Sequence, residues 1–140
     1  MAEYVANALQ AVDANQNVLF TSTTICGGNS IRHRDESGLV TLRGLTNQCK
    51  ARFKVTFGGN IAIPTGGTAG PISLAIAING EAIPYTTMTV TPIDLNEFFN
   101  VNTSTYVEIF SGCCAQISIN NISTQTISVQ NANLIIERVA

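Results

Sequence analysis

The 140-residue sequence has no tryptophan, a single histidine and few charged residues. Charged residues make up 11% of the chain, well below the usual share of about 25%. The formal net charge is −2, and in the segment RHRDE (32–36) Asp35 and Glu36 offset the basic side chains. Because nucleic-acid binding requires clustered Lys and Arg, this composition argues against a nucleic-acid partner. Asn, Thr, Ser and Gln must supply most of the polar surface.

Long apolar runs and a secretory leader are also missing. No segment approaches the roughly 20 apolar residues that span a membrane. The first 20 residues lack a basic start, an uninterrupted apolar core and a small-residue cleavage site, so we expect no signal peptide and synthesis in a cytosol. In that compartment the four cysteines should begin as thiols. The length fits one domain, residues 1–140.

Alternation of apolar and polar residues with a period of two dominates the chain and indicates β-strands. Short turn-forming segments separate the alternating runs, and no linker or repeat interrupts them. Many short strands with almost no helix predict an all-β sandwich or jelly roll. The clearest runs are GLVTLRG (38–44), CKARFKVTFGGNIAI (49–63), STYVEIF (104–110), AQISINNIS (115–123) and TISVQNANLIIERVA (126–140).

Three further segments have more specific predictions. In GPISLAIAINGEAIP (70–84) the alternation is interrupted by Asn79 and Gly80, which predicts a tight hairpin because both residues tolerate positive φ. Residues 2–14 suit either a strand or a short helix, so residues 1–16 are an N-terminal arm or a first strand. The segment TPIDLNEFF (91–99) carries Pro and acidic residues that suit one helical turn.

Catalytic chemistry finds little support. His33 would have to serve alone in a triad or a zinc site, and a solvated turn is the simpler interpretation. No Asp/Glu pair is placed for acid–base work. The loop PTGGTAGP (64–71) lacks the Lys-Ser/Thr of a phosphate-binding loop and opens no helix. We therefore predict no catalytic residues, no cofactor and no enzymatic activity.

The cysteines leave three interpretations open. Adjacent Cys113 and Cys114 cannot readily pair with each other, and no Cys-x-x-Cys spacing occurs. Buried thiols, a structural disulfide formed after release from the cell, and a metal site remain. The residues concerned are Cys26, Cys49, Cys113 and Cys114.

The order of these strands resembles the trimeric jelly roll of the tumour necrosis factor and complement-q superfamily. The similarity is greatest to bacterial and phage versions, such as the C-terminal domains of spore-surface collagen-like proteins. The resemblance covers about residues 5–140, but the closing strand lacks the Phe-Ser-Gly of the animal proteins and Phe53 stands where Tyr is common. The segments that carry the resemblance are NVLFTST (17–23), SIRHRDESGLVTLRG (30–44), ARFKVTFGGNIAIP (51–64), GPISLAIAINGEAIP (70–84) and NANLIIERV (131–139).

This resemblance implies a jelly-roll β-sandwich of about ten strands that packs one sheet face around a three-fold axis. It also implies that the four cysteines cluster at one end of the sandwich. Without a catalytic set or Gly-x-y repeats, the bare domain suggests a structural protein of a particle. The candidates for the trimer interface are Phe53, Phe57, Tyr106, Phe110 and Ile135.

The function expected from these features is that of a bacteriophage capsid decoration or head-fibre protein. It would be made in the cytoplasm of a bacterial host and held on the virion surface as a homotrimer, in contact with capsid or other virion proteins. One alternative is a spore or cell-surface structural domain of the same fold. A second is a carbohydrate-binding module, since jelly rolls often carry sugar sites.

Overall fold

A computed structural model describes residues 1–44 and 49–140. Within these ranges the chain forms twelve β-strands and one short 3-10 helix, Pro84–Thr86, and none of its helices is long and apolar enough to cross a membrane. The strands are β1 (Ala2–Ala6), β2 (Gln10–Val12), β3 (Ser22–Ile25), β4 (Ile31–His33), β5 (Val40–Arg43), β6 (Lys50–Ala62), β7 (Ile72–Ile78), β8 (Glu81–Ala82), β9 (Met88–Val90), β10 (Phe99–Phe110), β11 (Cys114–Asn121) and β12 (Ile127–Arg138).

The strands form two antiparallel sheets of six strands each. Sheet A has the order β10-β6-β12-β1-β3, with β2 also pairing with β12. Sheet B has the order β4-β5-β11-β7-β8, with β9 also pairing with β7. The all-β jelly-roll sandwich expected from the sequence is therefore confirmed. The start of the chain is strand rather than helix, because β1 pairs with both β12 and β3.

The long strands β6 and β10 form the most extensive pairing of sheet A, from Phe99 opposite Ile61 to Phe110 opposite Lys50. Alternation along β6 sends Phe53 and Phe57 inward, where both are fully buried. The Phe57 ring meets the edge of Phe20 at a centroid distance of 6.4 Å. Side chains of β6 and β12 contribute most to the core between the sheets.

The hairpin predicted at Asn79 and Gly80 is confirmed. These residues have φ values of 51° and 86°, and they join β7 to β8 with Ile78 opposite Glu81. The small residues of β7, Ala75 and Ala77, are as fully buried as its bulky ones. A strand buried on both faces needs no polar alternate, which explains the absence of a charged face in this segment.

The helical turn predicted in residues 91–99 is wrong, because residues 91–98 form a non-helical loop and β10 begins at Phe99. Asn96 adopts a left-handed conformation with φ of 60°, which interrupts a right-handed helix. Its backbone N–H donates to Ile63 O at 2.7 Å, and its Nδ2 donates to Thr65 Oγ1 at 3.0 Å. Contacts with the neighbouring loop thus replace the local helical hydrogen bonds.

One fully buried asparagine stabilises the junction of β11 and β12. Asn121 Nδ2 donates to Val12 O at 2.9 Å and to Gln125 O at 3.0 Å. Its Oδ1 accepts from Ser123 N at 2.9 Å. These three hydrogen bonds satisfy a polar group in the core and join β2 to the turn between β11 and β12.

Candidate functional site

The outer face of sheet A is the most distinctive surface of the described chain. Because odd-numbered residues of β6 point into the core, its even-numbered residues point outward, and β10 follows the same rule. Charged and aromatic side chains occupy one end of this face, and uncharged polar side chains occupy the other. The outward residues of these two strands are Lys50, Arg52, Lys54, Thr56, Gly58 and Asn60 on β6, and Asn100, Asn102, Ser104, Tyr106, Glu108 and Phe110 on β10.

Two exposed aromatic residues mark the edge strand β10. Tyr106 and Phe110 are each 59% exposed. Tyr106 stands opposite Lys54 and Phe110 opposite Lys50, whose Nζ lies 5.5 Å from the Phe110 ring centroid. Large aromatic side chains left in water on a flat sheet are typical of surfaces that another molecule covers.

A carboxylate between these aromatic residues is paired with two cations. Glu108 accepts a hydrogen bond from Arg52 at 2.7 Å, and Lys50 Nζ lies 3.5 Å from its other oxygen. The Arg52 hydrogen bond, followed by the charge of Lys50, lowers the pKa of Glu108. All three groups are half exposed, so the pairs fix side-chain positions more than they stabilise the fold.

The other end of the face is uncharged and flat. Thr56 and Ser104 hydroxyls lie 3.2 Å apart across the strands, and Asn100 Nδ2 donates to Asn60 Oδ1 at 3.1 Å. A Cβ added at Gly58 would meet only Val101 O, at 3.9 Å, so the sheet surface is open there. Covering such a surface would require the desolvation of few charges.

The third part of the face surrounds β1. Glu3 accepts hydrogen bonds from Thr24 Oγ1 at 2.5 Å and from Asn133 Nδ2 at 2.6 Å. These bonds, the Thr24 bond first, lower the pKa of Glu3. Glu3 lies between Ile135 on β12 and Ile25 on β3 in the strand register, and Ile25 is 44% exposed. The carboxylate is thus satisfied within its own protomer, flanked by two isoleucines.

The five predicted interface residues divide into two groups. Tyr106, Phe110 and Ile135 lie on the outer face of sheet A, as an interface requires. Phe53 and Phe57 have no exposed surface and belong to the monomer core, so their assignment to the interface is corrected. The sequence contained the relevant signal, because the partners of these phenylalanines in the alternation are Arg52, Lys54 and Thr56, which must face solvent.

The structure brings three of the four cysteines, which were predicted to cluster, to one end of the sandwich. Ser111 N donates to Cys49 O and Gly44 N donates to Cys113 O, so Cys49, Cys113 and the next residue, Cys114, share one end of the sandwich. Cys26 follows β3, three strand spacings of about 4.8 Å from β6 across sheet A. Two strands, β12 and β1, therefore separate Cys26 from Cys49 in sheet A.

All four thiols are free and exposed, so the interpretation as buried thiols is corrected. Among residues 1–44 and 49–140, no three His, Cys, Asp or Glu side chains are close enough together to hold a metal ion.

The only histidine has a structural environment. His33 Nε2 lies 2.9 Å from Ser37 O, and the ring packs at 4.4 Å from the Tyr4 ring and 6.3 Å from Phe20. The ring thus joins β4 of sheet B to β1 of sheet A. This partly buried position differs from the solvated turn suggested by the sequence.

Neither a protein-family model nor a curated protein sequence matches the chain. The structure is similar to the globular domain of zebrafish complement 1qA protein, with a TM-score of 0.58, 9% identity and coverage of 96% of this chain and 94% of that chain. Murine APRIL at pH 5.0 also gives a TM-score of 0.58, at 7% identity, with coverage of 95% of this chain and 97% of that chain. The chain has the tumour necrosis factor/complement-q jelly-roll fold.

A more distant similarity involves a family 35 carbohydrate binding module from Clostridium thermocellum. Its TM-score is 0.36 at 12% identity, with coverage of 95% of this chain and 91% of that chain. A similarity this low supports no inference about a ligand. At identities below 15%, all three comparisons concern the fold alone.

Proposed function

We propose that this chain is a non-enzymatic structural protein that assembles as a homotrimer through the outer face of sheet A. The observation that carries this proposal is the pair of exposed aromatic residues, Tyr106 and Phe110, on the edge strand of a face with few unpaired charges. The family resemblance of the sequence, in which such domains form trimers, supports the same face.

The outer face of sheet A has two different surfaces that can meet between neighbouring protomers in a three-fold ring. In such a ring each contact is heterologous, so the edge of one protomer meets another part of the next protomer. The edge strand β10 supplies Tyr106 and Phe110. The opposite part of the sheet, β12-β1-β3, supplies Ile135 and Ile25 around the hydrogen-bonded Glu3. Aromatic edges and isoleucines are complementary apolar surfaces.

We further propose that the trimer belongs to the surface of a bacteriophage particle, as a capsid decoration or head-fibre protein. The low charge content suits permanent association on a particle. Because β1 is built into sheet A, the contact with capsid or other virion proteins would use a surface other than a free N-terminal arm.

Three tests address the two parts of this proposal, the trimer and the particle. Chemical cross-linking followed by denaturing electrophoresis should give a ladder that ends at three chains, and a ladder that ends at one chain would contradict the trimer. Gene neighbours test the particle: capsid and portal genes support a virion role, whereas sporulation genes point to the spore-surface alternative. For a phage gene, the purified protein should sediment with shells of that phage and should remain in solution without them.

A further inference from the structure

A cavity of about 390 Å³ lies at the edge of the sandwich, away from the outward side chains of sheet A. Its lining comes from β1 and β3 of sheet A, from β4 of sheet B and from the loop between β3 and β4. The volume falls in the range of about 300 to 1,000 Å³ that is typical of small-molecule sites. The side chains that matter to its chemistry are those of Tyr4, Thr23, Cys26, Asn29, Arg32 and His33.

One tyrosine places a hydroxyl without a protein partner at the cavity. Tyr4 is 2% exposed, and its ring is held against His33. Its hydroxyl has no hydrogen-bond partner among residues 1–44 and 49–140, although Tyr4 lines the cavity. The hydroxyl oxygen keeps some contact with solvent, so an acceptor bound in the cavity can reach it.

The protonation state of Tyr4 makes it a donor. Burial, followed by the influence of Cys26, raises the pKa of the Tyr4 hydroxyl above its usual value. The group therefore carries its proton throughout the neutral range and can donate a hydrogen bond. The Tyr4 hydroxyl lacks a hydrogen-bond acceptor.

The charge of the lining favours an anionic acceptor. Arg32 lines the cavity and forms no salt bridge with any described residue. No carboxylate lines the cavity: Asp35 lies outside the lining, where it accepts a hydrogen bond from Thr23 at 2.9 Å. The loop wall includes Gly28, where an added Cβ would meet nothing within 4 Å, so the entrance is open on that side.

We propose that this cavity binds a small organic acid through its carboxylate, which accepts a hydrogen bond from the Tyr4 hydroxyl and pairs with Arg32. A guanidinium group matches the geometry of a carboxylate, and charge-assisted hydrogen bonds are the stronger kind. Asn29 lies beside them and offers an amide to further polar groups of the ligand. Since all these residues belong to one protomer, the site does not depend on the proposed trimer.

The test uses glucuronate as the probe and glucose as its neutral match, because a monosaccharide is of a size that suits the cavity. Glucuronate should shift the backbone amide resonances of residues 26–33 in a two-dimensional NMR titration, with a dissociation constant of about 1 mM or tighter. Glucose should leave them unchanged. Acetate, a carboxylate without the ring, shows whether the acid group alone suffices: shifts in the same amides support the site. Equal shifts with glucuronate and glucose, or no shifts with any probe, would overturn the proposal.

Matched substitutions show whether Tyr4 and Arg32 bind glucuronate. Tyr4→Phe keeps the ring and removes only the hydroxyl, and should weaken glucuronate binding about tenfold. Tyr85→Phe, on the exposed 3-10 helix, should leave binding unchanged. Arg32→Gln should weaken binding at least as much, whereas Arg34→Gln, outside the lining, should not. Equal binding by Tyr4→Phe and Tyr85→Phe, or by Arg32→Gln and Arg34→Gln, would contradict the assignment.

Discussion

Replacing both Tyr106 and Phe110 with serine is expected to dissociate the proposed trimer and to leave each protomer folded. Each side chain is 59% exposed in the single chain, so its removal leaves no cavity in the core. Of about 200 Å² for a large aromatic residue, about 120 Å² is therefore available to a partner. At about 25 cal/mol per Å², covering that area is worth about 3 kcal/mol per residue.

Buried area overestimates affinity, so half of that value, about 1.5 kcal/mol per residue and contact, is a safer figure. A three-fold ring contains three equivalent contacts, each with both residues, which gives a loss of about 9 kcal/mol in the free energy of assembly. That loss lowers the association constant of the trimer roughly a millionfold. Sedimentation equilibrium of wild type and double variant at the same concentrations measures the difference.

The matched control is Tyr85→Ser, because Tyr85 is 79% exposed but lies on the 3-10 helix rather than on sheet A. This variant should remain a trimer. Thermal unfolding should show that both variants keep a folded protomer. A double variant at Tyr106 and Phe110 that stays trimeric, or a Tyr85→Ser variant that dissociates to the same extent, would contradict the proposed interface.

Three further predictions concern the protomer. Asn121→Ala removes three hydrogen bonds to the backbone, one buried and two partly buried. At about 1 kcal/mol each, urea unfolding should show a loss of about 3 kcal/mol, against less than about 0.5 kcal/mol for the exposed Asn102→Ala. Similar losses for the two variants would contradict the role of Asn121. Thr24→Ala should raise the pKa of Glu3 in a carboxyl NMR titration, and an unchanged value would contradict the hydrogen bond. Because the folded pKa of Glu3 is lowered, its contribution to stability is present above the pKa of the unfolded chain and is lost as the pH falls through the folded value. A thiol reagent should modify four groups in native, reduced protein, and fewer than four would contradict the exposure of Cys26, Cys49, Cys113 and Cys114.

The faces of the strands could be predicted from the sequence, because alternation is a local property. In β6 the charges of Arg52 and Lys54 already require that Phe53 lie inward, and the structure places it there. The same constraint excludes Phe53 from an interface on the outer face of the sheet. The hairpin at Asn79 and Gly80 was predictable for the same reason, since two residues determine its conformation.

Features that depend on the lateral order of the strands could not be predicted in this way. The position of Cys26 relative to Cys49 depends on β12 and β1 lying between β3 and β6, which the order of strands along the chain does not state. The contact between Tyr4 and His33 likewise joins two sheets. The loop at Asn96 follows its contacts with Ile63 and Thr65, which no helix propensity includes.

Native mass spectrometry of the purified protein shows whether the outer face of sheet A holds three copies of the chain together. We expect a dominant species at three times the 14.8 kDa mass of the chain. The Tyr106/Phe110 double serine variant should give the single-chain mass under the same conditions. A single-chain mass for the wild-type protein at micromolar concentration would rule out this trimer.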